Sequence, residues 1–222
     1  MKLTIFNGSP RAKSSNSKIL SDSFISGFSA SSNENPEVFF LSETEKFLEY
    51  KEAFCKSDMI LFIFPLYVDA MPGIVKLFFE ILENTNTENK KIGFIVHSGF
   101  PESIHSICLE KYLKRFVDII NGEYRGTVIK GGSESLKFIT EKMRNKVLSQ
   151  FYDLGYSFGL NNTFDKKLAE KLAKPVNFNN FTIFVLKFLN SIGVFNINWN
   201  KILKKNKVYE KRLDKPYSSK NL

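Results

Sequence analysis

Lys2-Leu3-Thr4-Ile5-Phe6 runs directly into Asn7-Gly8-Ser9-Pro10-Arg11-Ala12-Lys13-Ser14-Ser15 and then into Asn16-Ser17, where a helical pattern begins. The first five residues read as a strand, and the Ser/Asn-rich stretch Asn7 to Ser15 as its loop. From Asn16 to Phe28 the apolar residues Ile19, Leu20, Phe24, Ile25 and Phe28 recur at the spacing of one helix face. Strand, loop and helix in that order predict the first unit of an open parallel sheet, with the loop at the carboxyl edge where such sheets bind ligands. The loop suits a phosphate: Gly8 permits a tight exit from the strand, the Ser and Asn side chains donate hydrogen bonds, and Arg11 offers a charged fork. The unpaired amides at the helix start add a positive dipole end. Ser15 or Asn16 also reads as an ordinary helix N-cap. The Gly-Lys-Ser/Thr of a P-loop and the spaced glycines of a dinucleotide fingerprint are missing, which argues against an NTPase or an ordinary Rossmann dehydrogenase.

The same alternation continues along the chain. Val38 to Leu41 reads as a second strand, Glu45 to Lys56 as a helix, and the wholly apolar Met59 to Phe64 as a central strand covered on both faces. A helix from Gly73 to about Leu82, a strand Lys91 to His97, a helix Glu102 to Ile120, a strand Tyr124 to Lys130 and a helix from about Thr140 to Phe158 complete the series. Five strands, each followed by a helix, predict an α/β doubly wound parallel sheet. After Leu160 the pattern is helical only, with Phe164 to Ala173, a break at Pro175, and Phe181 to Ile192. The expected organisation is therefore residues 1–160 as the sheet domain and 161–222 as a helical extension with a basic tail.

Composition narrows the function classes. The chain has 222 residues, 43% hydrophobic and 25% charged, which are globular values. Two cysteines, Cys55 and Cys108, are too few for a disulfide framework, a four-cysteine zinc site or a cysteine-ligated iron-sulfur cluster. Neither His97 nor His105 has a second ligand at metal-binding spacing. The N-terminus opens into a strand without a long apolar signal core, so the expected location is a reducing cytoplasm. The net charge of +9 is carried by 27 Lys and only 5 Arg, and residues 201–222 hold 8 basic against 2 acidic side chains. Without a nucleic-acid motif, that basicity reads as a solvated end and not as a nucleic-acid surface.

Two further loops belong to the same sheet edge. Pro65-Leu66-Tyr67-Val68-Asp69-Ala70-Met71-Pro72-Gly73 follows the third strand, and Ser98-Gly99-Phe100-Pro101-Glu102 follows the fourth. Pro65 ends strand pairing, Pro72 suits the first turn of the next helix, and Gly73 and Gly99 let a flat ligand approach the backbone. Leu66, Tyr67, Met71 and Phe100 offer apolar contact, although Tyr67 and Met71 read equally as loop packing. Gly155-Tyr156-Ser157-Phe158-Gly159 matches the nucleophile-elbow string of hydrolases, but it sits at the end of a helix and both histidines precede Ser157.

Gly8-Ser9-Pro10-Arg11 followed by Ser15-Asn16-Ser17 resembles the phosphate loop of the flavodoxin-like NAD(P)H-dependent FMN reductases. The second loop, continued by Lys76 and Glu80, resembles that family's second flavin loop, and the third loop its third. The resemblance covers roughly residues 1–160, while Lys215-Pro216-Tyr217 resembles the end of some members. It implies a five-stranded sheet in the order 2-1-3-4-5, FMN as cofactor and NAD(P)H as electron donor. It also implies a cofactor site of Ser9, Arg11, Ser15, Asn16, Ser17, Pro65, Leu66, Tyr67, Val68, Met71, Ser98, Gly99 and Phe100. The activity implied is hydride transfer through the flavin to a quinone, nitro, azo or similar small acceptor, with no side-chain acid or base required and none named. A homodimer is implied in the same way. A flavodoxin-type electron carrier or a flavin-binding regulatory module is the alternative, and the strongly acidic surface usual in such carriers is absent. His97 departs from the amide residue expected at its position, and reads as a hydrogen-bonded side chain at a strand end.

Phe181, Phe184, Val185, Phe188, Leu189 and Ile192 make one apolar helix face, interrupted too often by polar residues around it to span a membrane. The expected fate of that face is burial on the sheet domain or a partner subunit. Peripheral membrane attachment through it and Lys201, Lys204, Lys205 and Lys207 is the lesser reading.

Overall fold

Met59-Ile60-Leu61-Phe62-Ile63-Phe64-Pro65 offers water no polar side chain, and in the computed structural model this strand, β3 (Met59–Pro65), is buried along its whole length. The structure describes residues 2–83, 85 and 87–215. Around β3 the strands β1 (Leu3–Asn7), β2 (Glu37–Phe40), β4 (Lys91–His97) and β5 (Glu123–Lys130) form one sheet in the order β2-β1-β3-β4-β5. Every neighbouring pair is parallel. The chain runs outward from β1 to β2, then crosses back to β3 on the other side, so the strand order reverses between β1 and β3.

Side chains of alternate strand residues fall on opposite faces and build two cores. One face carries Phe6, Phe62 and Phe94 as a stacked row, with ring centroids 5.2 and 5.7 Å apart. It is covered by α2 (Phe47–Lys56), α3 (Gly73–Ile81) and α4 (Ile107–Ile119). The other face carries Leu3, Ile5, Leu61, Ile63 and Ile95, covered by α1 (Asn16–Ser32), α5 (Glu141–Asn161) and α6 (Lys166–Leu172). Helices on both faces explain why β3 is continuously apolar instead of alternating.

Several element boundaries differ from those expected. The first helix continues past Phe28 to Ser32, and Asn33 ends it in the left-handed conformation. The expected helix from Glu102 opens as a 3-10 turn, Ser103–Ser106, before α4 begins at Ile107. Phe164 is not helical: it inserts between Phe24 and Phe158, and Asp165 caps α6 through a 2.9 Å bond from the Leu168 amide. That insertion, together with α6, carries the first compact unit to Asn177, beyond the expected end at 160.

The second unit, from Phe178 on, contains α7 (Asn180–Ser191) and α8 (Val194–Lys205). α7 lies where the periodicity places it, and within the second unit its apolar face is left uncovered by α8: Phe181 is 74% exposed and Phe184 67%. α8 was not expected. Its Phe195-Asn196-Ile197-Asn198-Trp199-Asn200 alternates like a strand, and asparagine is a poor helix former. Of the Lys215-Pro216-Tyr217 resemblance, Pro216 and Tyr217 lie outside the described residues.

Candidate functional site: three loops at the sheet edge

The loop after β1 is built by its own polar side chains. Asn7 Oδ1 accepts from the Ser9 amide at 3.0 Å, and the amides of Ala12 and Ser14 bond back to the Ser9 and Arg11 carbonyls, both at 3.0 Å, closing a 3-10 turn. Ser15 then caps α1, its Oγ accepting from the Lys18 amide at 3.1 Å and donating to the Ala12 carbonyl at 2.6 Å. The amides of Asn16 and Ser17 stand at the first two helical positions, with no carbonyl beneath them in the helix. Gly8 answers to packing: a Cβ there would lie 2.2 Å from Val75 Cγ2.

Ser9, Ser15, Asn16 and Ser17 are all buried, while Arg11 stays half exposed. Two of the expected phosphate hydroxyls are committed elsewhere. Ser15 serves the cap, and Ser17 Oγ lies 2.7 Å from His97 Nε2. On the other side of that ring, His97 Nδ1 is 2.7 Å from Ser133 Oγ, which itself donates to the Ser98 carbonyl at 3.0 Å. Because the Ser133 proton is spent on that carbonyl, Nδ1 must carry the donor hydrogen and Nε2 must accept from Ser17. His97 is therefore the neutral Nδ1–H tautomer, and burial, with a smaller contribution from the Arg11 charge, drops its pKa to about 3. As the sequence suggested, it is a hydrogen-bonded residue at a strand end, tying the start of α1 to the loop after β5.

That last loop holds the residues sequence reasoning missed. Glu134 Oε1 accepts from Arg11 Nη1 at 3.1 Å, and its Oε2 accepts from Asn16 Nδ2 at 3.3 Å. Lys137 Nζ donates to the Ser14 carbonyl at 2.6 Å. The Gly131-Gly132-Ser133-Glu134-Ser135 cluster at the carboxyl end of a parallel strand was a readable signal, since it shares the edge of the other loops.

The second loop places its apolar residues unevenly. Leu66 sinks into the core, its amide held by the His97 carbonyl at 2.7 Å, and Met71 packs on the same core. Tyr67 and Ala70 exchange bonds of 2.8 and 3.0 Å across a two-residue turn whose Val68 and Asp69 have φ of 50° and 58°. A β-branched residue at positive φ is strained, and Val68 sits at that tip 99% exposed. Pro72 precedes α3 as its N-cap instead of occupying its first turn, and a Cβ on Gly73 would meet nothing within 4 Å. At the third loop Ser98 Oγ donates to the Phe100 carbonyl at 2.8 Å, and Phe100 is exposed with its ring 5.1 Å from that of His105.

These loops form one locus. Arg11 bridges to Glu134, whose Cβ lies 3.6 Å from where a Gly99 Cβ would be. The Arg11 pKa is raised chiefly by its hydrogen bond to Glu134 and that carboxylate's charge, then by the nearby Tyr67 phenol. The cavity on the β5 edge, about 320 Å³ and lined by Tyr124, Arg125 and Phe164, contains no residue of these loops.

The fit to a phosphorylated, polyhydroxylated ligand can be tested on buried orphans. Asn7 Nδ2 and Asn16 Oδ1 are buried without a hydrogen-bond partner. Neither amide is reversed, because Asn7 Oδ1 accepts from an amide and Asn16 Nδ2 faces the Ser133 carbonyl and Glu134, both acceptors. Leaving such atoms unpaired costs about 1–3 kcal/mol each, so each calls for a polar partner. The free amides, Asn7 Nδ2 and Arg11 suit a phosphate, and the Asn16 carbonyl suits a ribityl hydroxyl. Glu134 is the one resident that must yield. The donor set fits FMN.

Residues 1–107, which span all three loops, match the family model for NADPH-dependent FMN reductases. That match spans just under half of the chain. No curated protein sequence matches the chain. Among solved structures, this chain is similar to the apo form of an NADH:FMN oxidoreductase, at 18% identity and TM-score 0.58 over 78% of this chain and 96% of that one. It is also similar to the NAD(P)H:quinone oxidoreductase of Methanothermobacter marburgensis, at 16% identity and TM-score 0.59 over 71% and 96%. A third is the FMN-dependent NADH-azoreductase of Bacillus anthracis in complex with FMN, at 16% identity and TM-score 0.53 over 80% and 100%. At these identities the likeness is one of fold, the flavodoxin-like sheet with the order 2-1-3-4-5.

Proposed function

We propose that the chain is an FMN-dependent oxidoreductase that takes a hydride from NADH or NADPH and delivers the electrons to a quinone, nitro, azo or similar small acceptor. The observation that carries this reading is the pair of buried, unpartnered amide atoms of Asn7 and Asn16 at the sheet edge where strand order reverses. FMN, when bound, supplies both the site that accepts the hydride and the donor of the same two electrons onward. The protein's own part is positioning. Arg11 and the amides of Asn16 and Ser17 hold the phosphate, with Ser9 shaping the turn that presents them and Ser15 fixing the cap. Asn16 Oδ1 orients the chain of hydroxyls. Pro65 and Leu66 set the exit of β3, Tyr67, Val68 and Met71 offer apolar surface, and Ser98, Gly99 and Phe100 border the other side with backbone donors. No side chain is asked to move a proton in the hydride step.

The test is direct. FMN titrated into the purified chain is expected to lose fluorescence on binding, and NADH or NADPH added without oxygen is expected to bleach the bound flavin rapidly. Adding a quinone then restores the colour. Unquenched FMN would overturn the reading. Binding without bleaching by either nucleotide would instead assign an electron carrier.

A further inference from the structure

α7 and α8 leave water facing an unusual surface. Along α7, Phe181, Phe184, Phe188 and Ile192 recur on one side and are exposed. Gly193, with φ of 75°, turns the chain, and the two helix axes differ by 56°. On α8, Phe195, Trp199 and Ile202 share one arc, also exposed, while Lys205 borders that arc and Lys201 and Lys204 lie toward the far side of the helix. Lys207 follows the helix directly. Between Glu170 and Glu210 the chain carries seven lysines and no Asp or Glu.

We propose that α7 and α8 are an interfacial membrane-binding bent helix pair that lays its phenylalanine and tryptophan side chains into the headgroup boundary of an anionic lipid surface. The 56° break between the two helices favours lying on the bilayer over a straight span. No single described helix is long and apolar enough to cross a membrane, and twelve residues of α7 reach about 18 Å against a hydrocarbon core of about 30 Å. An apolar arc with lysines on the polar side of the helix, and a tryptophan among the apolar residues, is the composition that partitions to the interface.

Charge decides between lipid and a second copy. A two-fold pairing of this surface brings up a second copy of the same segment, which has no Asp or Glu to pair with the lysines. An anionic lipid surface supplies that missing charge, and each lysine near it contributes about a fivefold gain in binding.

Trp199 makes the test clean, because it is the only tryptophan in the chain. Mixed phosphatidylcholine–phosphatidylglycerol vesicles added to the full-length protein are expected to blue-shift its fluorescence and to carry the protein into the pellet on sedimentation. Pure phosphatidylcholine vesicles should bind far less, and added salt should release the protein. Lys204→Gln with Lys205→Gln is expected to weaken binding roughly 25-fold, and Phe184→Asp with Phe188→Asp by more than tenfold, with circular dichroism unchanged. Two results would overturn the proposal. One is an unshifted Trp199 emission with the protein left in the supernatant. The other is a dimer in solution that Phe184→Asp dissociates while vesicles capture nothing, which would assign the surface to a second copy.

Discussion

Glu134 holds both Arg11 and Asn16, so on the proposed reading it is the side chain that the phosphate of FMN must displace. An exposed ion pair of this kind contributes only about 1 kcal/mol. Glu134→Gln is therefore expected to leave folding stability nearly unchanged and to tighten FMN about fivefold. Arg11→Ala should weaken FMN by about 1–2 kcal/mol, less than the 1.5–3 of a bond to a charged group, because the wild-type guanidinium must first leave Glu134. Fluorescence titration of both variants checks the pair; equal affinities would show that neither side chain meets the phosphate. His97 gives a pH signature of known sign. Its folded pKa of about 3 lies below the usual 6.5, so the unfolded chain takes up a proton first as pH falls. This group's contribution is complete above about pH 6.5 and is lost toward pH 3, at about 1.4 kcal/mol per pH unit. His97→Gln is expected to lose about 1–3 kcal/mol at pH 7 and to flatten that acid limb, read as urea midpoints between pH 7 and 4.

The glycines of Gly155-Tyr156-Ser157-Phe158-Gly159 acquire their explanation at the level of packed helices. A Cβ on Gly155 would stand 1.9 Å from the Phe24 carbonyl oxygen, one on Gly159 2.1 Å from Ser31 Oγ, and one on Gly27 1.9 Å from the Tyr152 oxygen. Small residues four apart on α5, met by Gly27 on α1, let two backbones touch. The string is a packing device and Ser157 is no nucleophile. Gly155→Ala should force the helices apart and cost about 3 kcal/mol, read as a lower urea midpoint; Gly73→Ala, with open space around it, serves as the tolerant control. The turn of Tyr67–Ala70 shows the reverse economy, holding strain where a ligand is expected. Val68→Gly relieves a positive φ of 50° and is expected to stabilise the fold by about 1 kcal/mol while weakening contact with the flavin or its acceptor. Stability and FMN titration on the same protein separate the two effects.

For the molecule as a whole, both cores draw their buried residues from no further than Leu172. A chain ending at Asn177 is thus expected to keep its thermal midpoint and its FMN affinity; loss of either would show that the second unit supports the first. The order of elements in the sheet unit, the burial of β3 and the three loop positions were legible in the sequence, because they depend on local periodicity and on turn residues that act within a few positions. Asn16 illustrates the limit. Its place in the first loop was readable, but its unpaired carbonyl and its bond to Glu134 were not, since the partner lies far along the chain. The same holds for Ser17 turning inward to His97, for Phe164 leaving its helix to fill the core, and for α8, whose alternating asparagines masked a helix. The apolar face of α7 was legible as a pattern, but not that α8 leaves it uncovered within the second unit. Periodicity states which side chains share a face, and only the folded chain decides whether anything is there to cover it.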